Sequence, residues 1–404
     1  MTPTYSKRIR NAGFSLVELM VAVVIGLIGT VVMFQVFAVS ESYKRTTVSG
    51  GDAQQNGSVA LFTMERDLRN AAHGQTPLIA LGRPMYTWSN PSNTVLPPMI
   101  FRPLTIKPGI GSDSIEVNYS TSTGLTAPTP IMAAWNAAAV PIPNVPVVRV
   151  IGFDNGDNVA LCPDFTAAPT AACIRGEVSN VIDNNAGRFL VLAPPPTTFV
   201  VNGTTVRQSR YNPGVGFVAA LGAKIAADGL ALPNNFIGDG SPDHANVFNL
   251  GEMTTRTYSI SNGQMVLNDG ETETEFADGI VSMRAQYGLD TNGDKAVDAW
   301  VSPRGASPVN PLASYTPNHG SFLIGTDLEI AQSWRMVIAT RVAVVTRNSN
   351  LEKQVVETRG TIPLWTNPTG DVAPSYTVPS GDGNRYRYKV FETVVPFRNM
   401  IWNF

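Results

Sequence analysis

GFSLVELMVAVVIGLIGTVVMFQVFAV, residues 13–39, is the stretch on which the fold turns. From Phe14 to Val39 the run holds one formal charge, Glu18, among mostly Val, Ile, Leu, Met and Phe. A helix of about 20 such residues crosses a bilayer, and this run is longer than that. The residues before it, MTPTYSKRIRNAG (1–13), are basic through Lys7, Arg8 and Arg10. That places the N-terminus on the cytoplasmic side, although Lys44 and Arg45 beyond the run blunt the asymmetry. An ordinary secretory signal is cut after its apolar region, at a small-residue site. None follows here; the sequence continues into helix-compatible residues.

Working outward, no proline occurs between Pro3 and Pro77. One helix can therefore run on through SESYKRTTVSGGDAQQNGSVALFTMERDLRNAAHG, residues 40–74. Val59, Phe62 and Leu68, set against Glu65 and Arg66, give this second half an amphipathic character. Gly50-Gly51 is a weak point at which the helix could bend, since each glycine costs about 1 kcal/mol against alanine. Gly74 is placed to cap the C-terminus, so Phe14–His73 would reach about 90 Å at 1.5 Å per residue. Only the first half is apolar all round. The second half needs a body to pack on.

Past Gly74 the sequence turns to Pro, Gly, Asn and Thr interrupted by strand-like runs: SIEVNYS (114–120), VPVVRVIGF (145–153), RFLVLA (188–193) and TTVRQS (204–209). GVGFVAALGAKIAA (214–227) predicts a short helix; its glycines lack the third member of a dinucleotide fingerprint and read as structural. The C-terminal third is clearer. RTYSISNGQMVLN (256–268) alternates around Asn262-Gly263, a type I′ hairpin signal. FADGIVSMRAQYGLD (276–290), WRMVIATRVAVVTRN (334–348) and RYRYKVFETVVPFRN (385–399) supply further long strands. Their antiparallel pairing over the amphipathic helix predicts an α+β class.

Charged residues make up 15% of the chain, and Gly 35 with Pro 30 point to many turns, a profile that suits an exported β-rich protein. The formal charge of -2 carries no bulk attraction for nucleic acid. The two cysteines, Cys162 and Cys173, lie on the exported side of this topology, where a disulfide is favoured over two free thiols. Asp290, Asn292, Asp294 and Asp298 stand at positions 1, 3, 5 and 9 of a loop, a spacing that wraps calcium. Lys295 replaces the required glycine and Val301 the final glutamate, so a solvated turn is the alternative and is favoured. The three histidines, His73, His244 and His319, are widely separated, and no HExxH, G-x-S-x-G or P-loop occurs. No enzyme and no other cofactor is expected.

GFSLVEL, on the cytoplasmic side of the apolar run, resembles a type IV prepilin cleavage site. The resemblance implies that a prepilin peptidase cuts between Gly13 and Phe14 and that the new amine of Phe14 is methylated. It also implies that Glu18 meets the N-terminal ammonium of a neighbouring subunit. A carboxylate inside a membrane helix is costly, about 2–3 kcal/mol at its centre; the bland alternative is a helix-end group that snorkels to the interface.

The likeness sharpens to the PilW group of minor pilins over QQNGSVALFTMERDLRNAAHG, with Gln55, Asn56, Gly57, Asp67, Leu68, Arg69 and Asn70 in place. It extends to ADGIVSMRAQYGLDTNGD (277–294), TRVAVVTRN (340–348) and YKVFETVVPFRNM (388–400). Two departures stand out: no proline kinks the helix near Gln35, and Gly74-Gln75 replaces the Gly-Cys often found after it.

The resemblance implies a leader (1–13), a membrane and filament-core half-helix (14–42), an amphipathic half-helix (43–74) and a periplasmic β-rich head (75–404). Within the head, 75–250 reads as a divergent insertion and 251–404 as a pilin-like sheet. It further implies a single-pass inner-membrane protein, N-terminus inside, that later joins a pilus at the cell surface. Its partners would be other minor pilins, the major pilin, the prepilin peptidase, the inner-membrane assembly machinery and a tip adhesin. Two alternatives are a J-type pseudopilin of a type II secretion system, for which the chain is large, and a tip adhesin that binds through 75–250.

Overall fold

The absence of proline from Thr4 to Thr76 is realised as one helix, α1 (Leu16–Arg69), about 81 Å long at 1.5 Å per residue. The computed structural model describes residues 15–74, 81–102, 104–121, 128–164, 168, 171–241, 244–270, 272–302, 334, 336–365 and 374–401. Gly50 and Gly51 do not break α1; both lie inside it with nothing packed on their Cα. The helix ends earlier than the Gly74 cap predicts. Asn70 takes the cap, its N–H donating to the carbonyls of Asp67 and Leu68. Ala72 and Gly74, both at positive φ, then turn the chain. A Cβ on Gly74 would lie 2.3 Å from that of Ser120, so its glycine serves close packing rather than the cap.

Three sheets make up most of the head. In chain order their strands are β1 (Pro84–Ser89), β2 (Thr94–Ile100), β3 (Leu104–Lys107), β4 (Ser114–Ser120), β5 (Thr129–Pro130), β6 (Asn158–Cys162) and β7 (Cys173–Glu177). After helix α2 (Phe217–Ala227) come β8 (Asn246–Gly251), β9 (Met253–Ser261), β10 (Gln264–Asn268), β11 (Glu273–Asp278), β12 (Ile280–Leu289), β13 (Ala299–Val301), β14 (Val337–Arg347) and β15 (Tyr388–Pro396). The sheets run β2-β1-β7-β6-β8-β5, β11-β10-β9-β4-β3 and β13-β12-β14-β15. Pairing within them is antiparallel except between β1 and β7. The α+β class is as expected: a long N-terminal helix on an antiparallel β head.

The C-terminal pairings match the alternation in the sequence. Asn262 and Gly263, both at positive φ, turn β9 into β10, with Ser261 opposite Gln264. β14 is buried almost throughout because α1 and the second sheet cover one face and a small cluster around Ile362 and Tyr376 covers the other. The strand expected at 145–153 is reduced to Val145–Pro146. Beyond it Val147 N donates to Arg188 O, in the strand Gly187–Val191, and Val148 N to Pro130 O of β5, and the pairing goes no further. β4 pairs with β9 and β3 with β4, which carries residues 104–120 out of the central region and into the sheet beside α1.

The core lies in two main bodies. Ala60, Met64 and Leu68 of α1 pack among Ile115, Val117, Tyr258, Met283, Val342 and Val344. Trp135, Phe217, Leu221 and Phe236 form a second body against the six-stranded sheet, Trp135 meeting Phe236 edge-on at 5.4 Å.

Candidate functional site

The first half of α1 is a rod without a cover. Every residue from Leu16 to Tyr43 is exposed, and its most apolar window has a mean hydropathy of 2.6 with none of it buried. Phe34 and Phe37 are each about three-quarters exposed. Exposed apolar area on this scale marks a surface that another body covers, lipid or protein.

The rod begins with a capping box. Ser15 Oγ accepts from Val17 N at 3.2 Å, and the Glu18 carboxylate accepts from Ser15 N at 3.4 Å. The Glu18 charge thus sits over the unsatisfied amides and positive dipole end of α1, where an anion is stabilised. Gly13 and Phe14 lie outside the described residues.

The head grips only the second half. From Ser49 onward α1 buries Ala53, Gly57, Ala60, Leu61, Met64, Asp67 and Leu68, one stripe at helical spacing. Gly57 is needed for contact: a Cβ there would fall 2.5 Å from the Phe391 ring of β15. On either side, Asn56 Nδ2 donates to Asp278 O at 3.1 Å, and Lys389 Nζ to Gln54 Oε1 at 2.8 Å. Higher up, Asp67 is buried and accepts from Arg256 Nη1 at 2.8 Å and from the Tyr258 hydroxyl. Burial, then the bond to Asp67, pushes the Tyr258 phenol far up, while Asp67 raises Arg256. Asn399 Nδ2 closes the clamp on Ala71 O at 3.1 Å.

These contacts give physical roles to the helix motif quoted above. Asn56 and Gly57 let β15 and the β11–β12 turn approach α1, and Asp67 ties α1 to β9. The Asp67–Arg256–Tyr258 group was missed at the level of sequence. The signal was present: Asp67 follows Ala60 and Met64 at helical spacing, so a carboxylate stands on the buried stripe and requires a partner.

Cys162 and Cys173 form a disulfide across the neighbouring strands β6 and β7, and both are buried. The structure brings Asp290, Asn292, Asp294 and Asp298 into one turn whose oxygens face the loop's own amides. Asp290 accepts from the amides of Asn292, Gly293 and Lys295 at 3.2, 2.6 and 2.9 Å. Asp298 accepts from Thr291 N and Oγ1, both at 2.7 Å, and Asp294 from Ala296 N at 2.8 Å. Among the described residues, no three His, Cys, Asp or Glu side chains converge as a metal site.

A family model described as type IV pilus-assembly protein W matches residues 247–399, and one described as prokaryotic N-terminal methylation motif matches residues 8–34. No curated protein matches the chain. Among solved structures, a type IV-like pilin from Thermus thermophilus is 9% identical, with 86% of this chain and 96% of that one covered at a TM-score of 0.28.

Proposed function

Proceeding from a PilW-type, prepilin-like chain, we propose that this protein is a minor pilin acting in a tip or priming complex that starts type IV pilus polymerisation. The observation that carries the reading is the division of α1: as far as Val39 the rod is apolar and uncovered, and from Ser49 onward the head holds it by one buried stripe. In this account the prepilin peptidase cuts between Gly13 and Phe14 and the Phe14 amine is methylated. The rod first lies in the inner membrane with the head in the periplasm. It then exchanges lipid for the rods of other minor pilins and the major pilin.

Glu18 sets register in that exchange. Its carboxylate faces the N-terminal end of α1, and a neighbour's terminal ammonium would pair with it where the packed rods exclude water. The role is structural, not catalytic. Adhesion, motility and DNA uptake follow from the filament.

Deletion of the gene tests this. Lost surface pili and twitching, restored by the wild-type chain but not by Glu18→Ala at equal membrane abundance, is the expected outcome. Normal piliation with exoproteins retained in the periplasm would instead assign the chain to a secretion pseudopilus.

A further inference from the structure

The loop Asn348–Glu357 lies at the foot of the head, beside the helix, and is held firmly in place. Glu352 N donates to Arg385 O, Val356 N and Glu357 N to Asn384 O, and Asn348 N to Arg387 O. Arg385 Nε donates to Glu352 O at 2.8 Å, and Arg387 forms an ion pair with Glu352. One further bond fixes the loop's height along the rod: Asn350 Nδ2 donates to Arg45 O at 2.9 Å. A cleft of 310 Å³ separates loop from helix, lined by Ala38, Glu41, Ser42, Arg45 and Thr46 on one side and by Asn350 to Lys353 on the other.

The loop therefore flanks α1 where the apolar run ends. From Glu18 to Val39 the helix rises about 32 Å, close to the hydrocarbon thickness of about 30 Å. Arg45 stands about 9 Å further on, at the outer edge of a headgroup layer about 5–8 Å thick, while the cleft that Leu351 lines reaches down to Ala38, inside the apolar run. The side chains there suit that layer. Tyr43 is 72% exposed, Leu351 41% and Val355 56%, apolar or amphipathic groups with no cover. Lys44 and Lys353 are exposed, and neither is in a salt bridge among the described residues. The nearby acids, Glu41, Glu352 and Glu357, are already paired with Arg45, Arg387 and Arg359. An aromatic ring and a lysine on the helix where the apolar run ends, with two uncovered aliphatic side chains and a lysine on the loop beside it, are the side chains of an interfacial anchor.

We propose that this loop, with Tyr43 and Lys44, is a membrane seat: it rests the head on the headgroups of the bilayer that the rod crosses. Leu351 and Val355 dip to the acyl boundary, and Lys44 and Lys353 meet lipid phosphates. The occupant is a lipid surface because the face is continuous with the uncovered apolar rod and its excess charge is positive. The seat fixes the tilt and depth of the head before extraction, and it must be released when the rod leaves lipid. The inference rests on the membrane-anchored reading above.

Both cysteines of the sequence are joined in the disulfide, so an introduced cysteine is the sole free thiol. Full-length chain carrying Leu351→Cys, Phe34→Cys or Val206→Cys is labelled with a fluorophore and reconstituted in phosphatidylglycerol–phosphatidylethanolamine vesicles. Quenchers attached to lipid headgroups or acyl chains, and aqueous iodide, are then compared. The expected result is several-fold stronger lipid-borne quenching at Leu351 and Phe34 than at Val206, which is exposed on the head. Lys44→Gln/Lys353→Gln should weaken it at Leu351 but not at Phe34. Quenching at Phe34 alone would overturn the seat while leaving the spanning rod intact. Aqueous behaviour at both positions would overturn the rod's membrane placement as well. Shielding of Leu351 from iodide without lipid-borne quenching would give the face to a protein subunit and also overturn the proposal.

Discussion

Asp67 is the residue on which rod and head depend most, because its carboxylate is buried and hydrogen-bonds Arg256 and Tyr258 of β9, with Arg66 of α1 3.6 Å away. Removing one member of a buried pair leaves the other charge uncompensated, at a cost of about 3–5 kcal/mol. Asp67→Ala should therefore lower the chemical-denaturation stability of the detergent-solubilised chain by about 3 kcal/mol or more. Arg256→Met in the same background should recover part of the loss. Tyrosines add a pH dependence. Burial raises the phenols of Tyr258 and Tyr287, and burial with its neighbour Tyr388 pushes Tyr376 up to about 12. Above about pH 10 an unfolded chain loses these protons while the fold keeps them, so the folded state binds more protons and stability falls as pH rises. Denaturation series between about pH 9 and about pH 11.5 should show that decline, and Tyr258→Phe should flatten it. An unchanged slope in Tyr258→Phe would mean that this phenol does not contribute.

At the level of elements, α1 was legible because one chemical rule covers it: no proline, apolar all round, then apolar on one stripe. Its C-terminal end was less legible. Gly74 has the chemistry of a cap, but the helix ends at Asn70 and Gly74 lies against Ser120, a tertiary neighbour that no local pattern encodes. Gly57 shows the same limit in the other direction. By propensity alone Gly57→Ala should strengthen an exposed helix by about 1 kcal/mol. Against the Phe391 ring it should instead destabilise by about 1–3 kcal/mol, the cost of overpacking. Thermal unfolding should separate the two, since Gly50→Ala, with open space around it, should stabilise. Equal gains at both positions would remove the close contact from the account. β9, β10, β12, β14 and β15 were legible for their strict alternation and the Asn-Gly turn. The run at 145–153 carries the same apolar content, yet it pairs only at its start, with the strand Gly187–Val191 and with β5, so periodicity overstated it.

For the whole molecule, the sequence shows where the rod ends and the head begins more clearly than how the head is built. β1 joins β7 in parallel, β6 joins β8 and β4 joins β9, pairings between strands far apart in the chain. Partner choice of this kind lies in side-chain fit across the sheet, not in any one stretch. The disulfide was legible because export and two cysteines suffice to suggest it. It links two strands of the six-stranded sheet, away from the α1 clamp. Cys162→Ala/Cys173→Ala should cost about 2–3 kcal/mol, with loosened hydrogen exchange concentrated in β6 and β7 and the rod contacts retained. Loss of protection at Ala60 and Met64 to the same extent would mean the two core bodies unfold as one.

The account as a whole rests on an apolar rod that stays attached to its head after the leader is removed. Mass spectrometry of the chain purified from membranes tests this most directly. The expected mass and N-terminal peptide begin at methylated Phe14 and include the entire apolar run. An intact Met1, or a soluble product beginning C-terminal to Val39, would contradict it.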